Sequence, residues 1–321
     1  MLAAWDRHLP RETPTEQREL VDYAADCGFD TLIVPQVTPT MADHSAEREL
    51  QILEIIGPYP DEDVADPAAL RQELTEMESA VAGAVAKAPD EYQWFAHRWF
   101  PFLLPATPMC LASERALESL ERQISSALSR ADGIALDGIG YRNYYACHCE
   151  RCRERRDEYV EATGCHRYEA IADVSEAILF EAVDRLHGHA KTESSDAIVA
   201  NHVWPPFSPN PGYAYRLPLD YCSQTISWFY PPDRPLDRVA FEARRHAKLS
   251  GDANTFVPFV GMFDEPFLRR TPDRLASELG IALDHGEGSL VFSSLAVPFN
   301  NEELETVLKE ALSSVAGTSP R

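Results

Sequence analysis

Apolar, β-prone runs alternate with helical patterns along almost the whole chain, and no other feature of the sequence restricts the fold as strongly. Strands that alternate with helices in this way form parallel sheets. Eight such runs fit into 321 residues, which is what a single (β/α)8 barrel needs. The predicted strands are 2–5, 29–37, 92–104, 133–139, 197–204, 222–230, 255–263 and 289–295.

Helix-start signals separate these strands. Thr13 is a good N-cap, Pro14 suits the first helical position, and Glu16 completes a capping box. Helices are also predicted at 66–87, 117–128, 150–190, 236–249, 271–286 and 301–315, whereas 205–218 is a proline-rich loop without a helical pattern. We therefore predict one (β/α)8 domain covering residues 1–321. A doubly wound open sheet is the alternative, and the lack of a glycine-rich phosphate loop after an early strand counts against it.

The charge balance restricts the partners. The chain has 52 acidic and 29 basic residues, a net charge of −23, and only four lysines. Such a field repels nucleic acid and anionic membranes, so we expect neither as a partner. Excess carboxylates with scarce lysine are typical of halophilic proteins, in which salt screens self-repulsion; an acidic mesophilic protein is the alternative.

Targeting signals are missing from the sequence. No apolar run reaches the roughly 20 residues that cross a bilayer. The start, MLAAWDRHLP, lacks a basic segment followed by a long apolar one, so we expect a cytoplasmic protein without membrane insertion. The seven cysteines are odd in number and are not spread like a disulfide framework, which favours reduced thiols.

Carboxylates follow two of the predicted strands. In a barrel, catalytic groups lie where strands end. Asp137 interrupts the apolar run 133–139, and it is either catalytic or hydrogen-bonded structurally. Asp264 and Glu265 follow the seventh strand; alternation allows at most one of them to face the pocket, and we favour Glu265. Either can instead belong to a solvated loop or a helix cap.

Further polar and aromatic residues lie at the predicted strand ends. Two carboxylate sites combined with many aromatic residues are typical of a sugar-binding pocket, because sugar C–H faces stack on rings and glycosidic cleavage uses paired carboxylates. The tryptophans can also be core residues, and a lone histidine is more often structural. The substrate-binding candidates are His97, Arg98, Tyr141, Arg142, Asn201, His202, Trp204, Trp228 and Tyr230.

Three cysteines follow the fourth strand. Cys149 and Cys152 share a helix face, and Cys147 precedes the helix start. This spacing can hold a structural zinc ion, with Cys165, His148 or His166 as the fourth ligand. A cluster of plain buried thiols is the alternative. We expect no cofactor to be required for catalysis.

The block DGIALDGIGYRN followed by CHCERC resembles the fourth strand and loop of uncharacterised glycoside-hydrolase-like (β/α)8 proteins, which include haloarchaeal ones. Those proteins carry D-G-[IV]-x-[LF]-D, an aromatic-arginine pair and C-x-C-x2-C. The segments FVPFVGMFDEP and LASELGIALDHGEGSLVFSS are similar to their last units. The resemblance implies a glycosidase-type pocket in which Asp137 is the strand-four aspartate. This chain lacks a proline after the aromatic pair, so the loop differs locally.

Three functions compete at this stage. The first is a glycoside hydrolase or related glycan-processing enzyme acting on an oligosaccharide or glycoconjugate. The second is a non-catalytic carbohydrate-binding or pathway protein; the resemblance links such proteins to assembly of N-linked glycans on surface glycoproteins. The third is a metal-dependent hydrolase using His97, His202 and Asp137, but the first strand lacks the H-x-H that usually marks such barrels.

Overall fold

Eight parallel strands close into a barrel in which each strand pairs with the next along the chain and β8 pairs with β1. The computed structural model describes residues 1–60, 64–88, 103–104, 106–204, 206–227, 234–262 and 270–316. The predicted (β/α)8 barrel is thereby confirmed. The strands are β1 (Leu2–Trp5), β2 (Thr31–Val34), β3 (Gln51–Ile56), β4 (Gly133–Asp137), β5 (Ile198–His202), β6 (Tyr221–Ser227), β7 (Thr255–Gly261) and β8 (Leu290–Ser293).

Helices surround the barrel. Thr13 caps the first of them with the predicted capping box, in which its hydroxyl accepts from the Glu16 amide and the Glu16 carboxylate accepts from the Thr13 amide. None of the helices in the described ranges is both long and apolar enough to span a bilayer. The helices are α1 (Pro14–Asp26), α2 (Pro39–Glu47), α3 (Glu76–Ala86), α4 (Glu114–Leu128), α5 (Glu150–Thr163), α6 (Arg167–Glu193), α7 (Leu236–Leu249), α8 (Pro272–His285), α9 (Ala296–Phe299) and α10 (Glu302–Ala316).

The third strand lies elsewhere than predicted. The run 51-QILEII-56 forms β3 and pairs with β2 on one side and β4 on the other, so the strand between β2 and β4 comes from this run and not from the predicted 92–104. Leu103 and Leu104 are outside any strand, and residues 92–102 lie outside the described part of the chain. β3 is buried at every residue except Gln51, and it is followed by Gly57-Pro58, a strong terminating pair.

Two predicted helices are interrupted. The region 66–87 begins as a 3-10 turn at Pro67–Leu70, and α3 starts only at Glu76. The region 150–190 is divided into α5 and α6 at Gly164, whose φ of 70° is a left-handed conformation that suits glycine. Between β5 and β6, the described residues form only a 3-10 turn at Tyr213–Arg216, as the proline-rich sequence indicates.

The core has an inner and an outer layer. Small and branched side chains, among them Ala3, Ala135 and Val257, fill the barrel interior. Outside it, two larger clusters pack the helices against the strands. β4 and β5 approach each other so closely at Gly133 that a Cβ there would overlap the carbonyl oxygen of Ile198. The filled interior leaves the carboxyl ends of the strands as the place where polar side chains can meet.

Candidate active site

Three strands bring polar side chains together at the carboxyl end of the barrel. Asp137 ends β4 and His202 ends β5, and the two residues are direct partners in the strand register. His202 Nδ1 lies 3.3 Å from Asp137 Oδ1, and Nε2 lies 3.1 Å from the hydroxyl of Thr225 on β6. An ionised carboxylate only accepts hydrogen bonds, so the Nδ1 proton points to Asp137.

Arg7 supplies a second partner for Asp137. Its Nη2 donates to Asp137 Oδ2 at 2.6 Å, so each carboxylate oxygen has its own donor. Burial by itself would raise the pKa of Asp137, but the hydrogen bond from His202 and the charges of His202 and Arg7 outweigh it and hold the pKa below its ordinary value. The carboxylate is therefore ionised at neutral pH.

Aromatic residues fix the position of His202. Its ring stacks on Phe259 with 4.0 Å between the centroids and a 14° angle between the planes. Trp5 approaches the same ring edge-on at 5.6 Å. His202 is only 6% exposed, so packing as well as hydrogen bonding holds the imidazole against Asp137. A rigid, oriented donor of this kind keeps the carboxylate in one position.

Tyr59 lies near Asp137. Gly138 has a φ of 74°, and a Cβ at this position would lie 3.5 Å from the Tyr59 hydroxyl. Burial raises the pKa of Tyr59, the negative charge of Asp137 raises it further, and Arg7 opposes the shift. Tyr59 is still 40% exposed, so part of the residue is open to solvent near the carboxylate.

Tyr144 and Trp204 form an aromatic pair after β4 and β5. Their ring centroids lie 5.9 Å apart with an edge-on angle of 61°. Trp204 is partly exposed, so it stays a candidate for contact with a sugar ring. Tyr144 was not singled out from the sequence, although it lies between the predicted Arg142 and the cysteines.

Three other predicted residues are turned away from this carboxylate. Tyr141 is 2% exposed, packs in the core beside the cysteines and donates its hydroxyl hydrogen to the Ser175 carbonyl, so it is a core residue and cannot stack on a sugar. Arg142 donates from Nε to the carbonyl of Leu104 and holds that segment. Asn201 precedes the inward-facing His202, and alternation directs its buried side chain toward the helices.

Several predicted residues lie outside the described ranges, so their roles stay predictions. They are His97, Arg98, Trp228, Tyr230, Asp264 and Glu265.

Arg7, Tyr59 and Thr225 were missed from the sequence, yet each lies on or directly after a strand of the barrel. Arg7 follows β1, and Tyr59 follows the strand that was assigned to the wrong segment. Asp6, next to Arg7, is fully buried and accepts from the amides of His8 and Leu9 and from Ser294, so it has a structural role.

The three predicted cysteines come together in the loop between β4 and α5 and the first turn of α5, and a fourth, Cys110, joins them. Cys110 therefore takes the place for which Cys165, His148 or His166 was expected. Cys165 lies instead in the partly exposed turn between α5 and α6. Hydrogen bonds from the Cys110 and Cys147 thiols hold the pKa of Cys149 well below its ordinary value, which favours a thiolate.

A closed barrel of eight parallel strands surrounded by helices defines the (β/α)8 class of protein, and here an ionised carboxylate lies at its carboxyl end. No family model matches the sequence, and no curated protein matches it. Solved structures do match. The PgaB (BpsB) glycoside hydrolase domain from Bordetella bronchiseptica has a TM-score of 0.66 at 9% identity, over 97% of this chain and 98% of that chain.

Two further structures have similar barrels. The β-galactosidase of the Antarctic haloarchaeon Halorubrum lacusprofundi has a TM-score of 0.62 at 11% identity, over 99% of this chain and 58% of that one. The endo-1,4-β-mannanase of Rhizomucor miehei has a TM-score of 0.59 at 9% identity, over 99% and 95%. At such low identity the likeness establishes the (β/α)8 fold and nothing about the activity or the substrate.

Proposed function

We propose that the carboxyl end of the barrel binds an oligosaccharide or glycoconjugate and that Asp137 takes part in cleaving a glycosidic bond. The observation that carries the proposal is the ionised Asp137 carboxylate at the end of β4, held by His202 and Arg7. Glycosidic cleavage needs such a carboxylate beside a second carboxyl group. The fold, which the chain shares with proteins named as acting on sugars, supports a carbohydrate ligand.

The ionised state decides the role of Asp137. A lowered pKa suits a nucleophile, a general base or a group that stabilises an oxocarbenium ion, and it does not suit a general acid. The acid then has to come from another strand end. Glu265 is our first choice and Asp264 the second, because both follow β7, whose last residue Gly261 pairs with Ser293 at the same rim. A separation of about 5–5.5 Å from Asp137 would indicate retention, and about 6.5–9.5 Å inversion.

The sugar itself would contact the groups around Asp137. Trp204 offers an aromatic face, and Tyr59 offers a hydroxyl and a partly exposed ring. The Arg7 side chain is 44% exposed, so its remaining donors can bind sugar hydroxyls or a carboxylate. Trp228, Tyr230, His97 and Arg98 are further candidates on sequence grounds.

One observation favours a second function, a non-catalytic carbohydrate-binding protein. Both oxygens of Asp137 already have a donor, Arg7 on one and His202 on the other. A nucleophile held in this way is less available for attack on an anomeric carbon. If the protein binds carbohydrate without cleaving it, Arg7 and Asp137 form a fixed polar pair that orients sugar hydroxyls.

The experiment is a screen of aryl glycosides and lipid-linked glycans in molar salt, with the wild type compared with Asp137→Asn. We expect the variant to lose turnover by about 10³-fold or more while it keeps its fold and glycan binding. Glu265→Gln and Asp264→Asn are assayed in parallel to identify the acid.

The matched control is Asp132→Asn. Asp132 precedes the same strand at the opposite end of the barrel, where its carboxylate accepts from the Ile52 amide, and an asparagine oxygen can accept there too. Turnover should be unchanged. Glycan binding without turnover in the wild type would establish the binding function, and neither binding nor turnover across the panel would refute both candidates.

A further inference from the structure

Four buried cysteines converge on one point outside the barrel. Cys110 precedes α4, Cys147 and Cys149 lie in the β4–α5 loop, and Cys152 lies in the first turn of α5. None of the four is more than 5% exposed. Their sulfur atoms all lie within 4.8 Å of one another, and Cys110 Sγ is 3.5 Å from Cys149 Sγ and 3.6 Å from Cys152 Sγ.

We propose that these four thiolates bind one structural zinc ion. Zinc–sulfur bonds of about 2.3 Å in a tetrahedron place the sulfurs about 3.8 Å apart, which agrees with the separations of 3.5 and 3.6 Å between Cys110 Sγ and two of its partners. A disulfide needs sulfurs about 2.05 Å apart, so no pair in the cluster is one. A four-iron cluster would hold the cysteines farther apart, because its iron and sulfide atoms occupy the centre. Four protein ligands close the coordination sphere, which is the mark of a structural rather than a catalytic ion.

The surroundings suit a tetrathiolate ion. The backbone amides of Glu73 and Cys149 lie 3.4 and 3.5 Å from Cys147 Sγ, as donors to a metal-bound thiolate do. Cys149 is also the N-cap of α5, where the helix dipole favours negative charge. A zinc ion with four thiolates carries a net charge of −2, and the buried Arg156, which donates to the Cys147 carbonyl, lies close enough to offset part of it.

The ion would join two segments that are distant in sequence, around Cys110 and at 147–152. Gln72 already links them: its amide donates to the carbonyls of Gly140 and Met109 and accepts from the Arg142 amide. His148 donates from its amide to the Glu73 carbonyl. The proposed zinc therefore fastens the loop that follows Asp137, although it does not touch that residue.

The test begins with protein purified without chelator. Elemental analysis should find about one zinc ion per chain. A mercurial that modifies the thiols should release it, and cobalt substitution should give the charge-transfer bands of a tetrahedral thiolate site. Cys110→Ala should lower the zinc content to less than half.

The matched control is Cys222→Ala. Cys222 is a fully buried cysteine on β6 outside the cluster, so this variant should keep its zinc. If Cys110→Ala does not fold, mercurial release and cobalt substitution of the wild type decide the matter. Three results would overturn the proposal: zinc well below one ion per chain even after addition of zinc, iron in its place, or equal zinc loss in both variants.

Discussion

At Asp137 two opposing effects set the charge of the candidate catalytic group. Burial disfavours the carboxylate, whereas His202 and Arg7 favour it, and the partners prevail. His202 is held by packing against Phe259 and Trp5, so its contribution is fixed by the fold. Arg7 is 44% exposed and held by one ion pair, so it is the partner that a substitution can remove most cleanly.

We predict that Arg7→Gln raises the pKa of Asp137. A carboxyl group with a depressed pKa stabilises the fold above its unfolded pKa of about 3.9, and this contribution disappears as the pH falls through the folded pKa. The variant should therefore be less stable than the wild type at neutral pH, by under about 1 kcal/mol because Arg7 is solvent-exposed. The difference should vanish in acid. Urea unfolding between pH 2 and pH 7 measures both.

Arg7→Lys is the control, because it keeps the positive charge next to Asp137 and should leave the pH dependence nearly unchanged. In an activity assay, the acidic limb of the kcat/KM profile should move to higher pH in Arg7→Gln alone. A wild-type stability profile in Arg7→Gln would mean that Arg7 does not set the charge of Asp137.

Tyr141 illustrates what a single residue's sequence position does not reveal. It lies four residues after Asp137, and the sequence predicted contact with a sugar. Gly138, with a φ of 74°, turns the chain away from the strand direction, and the Tyr141 ring enters the core beside the cysteines. A glycine allows such a turn but does not require it, so the sequence alone leaves the direction open.

At the scale of elements, β4 and β5 approach each other closely at Gly133. Gly133 lacks a Cβ, which lets the Ile198 backbone approach, and it opens the strand that ends in Asp137. We predict that Gly133→Ala lowers the free energy of unfolding by about 2 kcal/mol or more, because the strands must separate to admit a methyl group. Chemical denaturation measures the loss.

Gly188→Ala is the counterpart. Gly188 lies inside α6, and a Cβ there meets no atom within 4 Å. Alanine should stabilise this helix by about 0.5–1 kcal/mol, because glycine is the poorer helix former. Equal effects of the two alanines, in sign and size, would contradict the packing explanation.

The hydrophobic pattern of the sequence located seven of the eight strands but not the third. Seven predicted strands overlap observed ones because each is an apolar run next to helix signals. β3 carries a glutamate within its apolar run 51-QILEII-56, and the longer aromatic run 92–104 was the stronger local signal. Strand pairing decides between such runs, and pairing partners are distant in sequence. For the same reason Cys110, 37 positions before Cys147, could not be joined to the cluster from spacing alone.

The whole molecule carries far more acid than base. If each of the 29 basic residues neutralised one of the 52 acidic residues, 23 carboxylates would still lack a counter-charge within the chain. Many of the ion pairs that do form are exposed, as between Arg167 and Asp157, whose side chains are 80% and 69% exposed. Exposed pairs contribute about 0–1 kcal/mol each, so they cannot offset the repulsion among the remaining carboxylates.

Salt weakens both the attraction within ion pairs and the repulsion among the remaining carboxylates. The balance of these two changes predicts whether salt stabilises the fold. At 1 M salt the screening length is about 3 Å, compared with about 10 Å at 0.1 M, so repulsion among distant carboxylates disappears while close pairs lose less. We therefore predict that the melting temperature rises between 0.1 M and 2 M potassium chloride at pH 7. Near the isoelectric point of about 4.8 the net charge is close to zero, so the same increase in salt should raise the melting temperature much less. Thermal melting at both pH values separates charge screening from a general effect of salt on burial, because the latter acts at either pH. A melting temperature at pH 7 that is the same at low and high salt would show that the acidic surface is not an adaptation to salt.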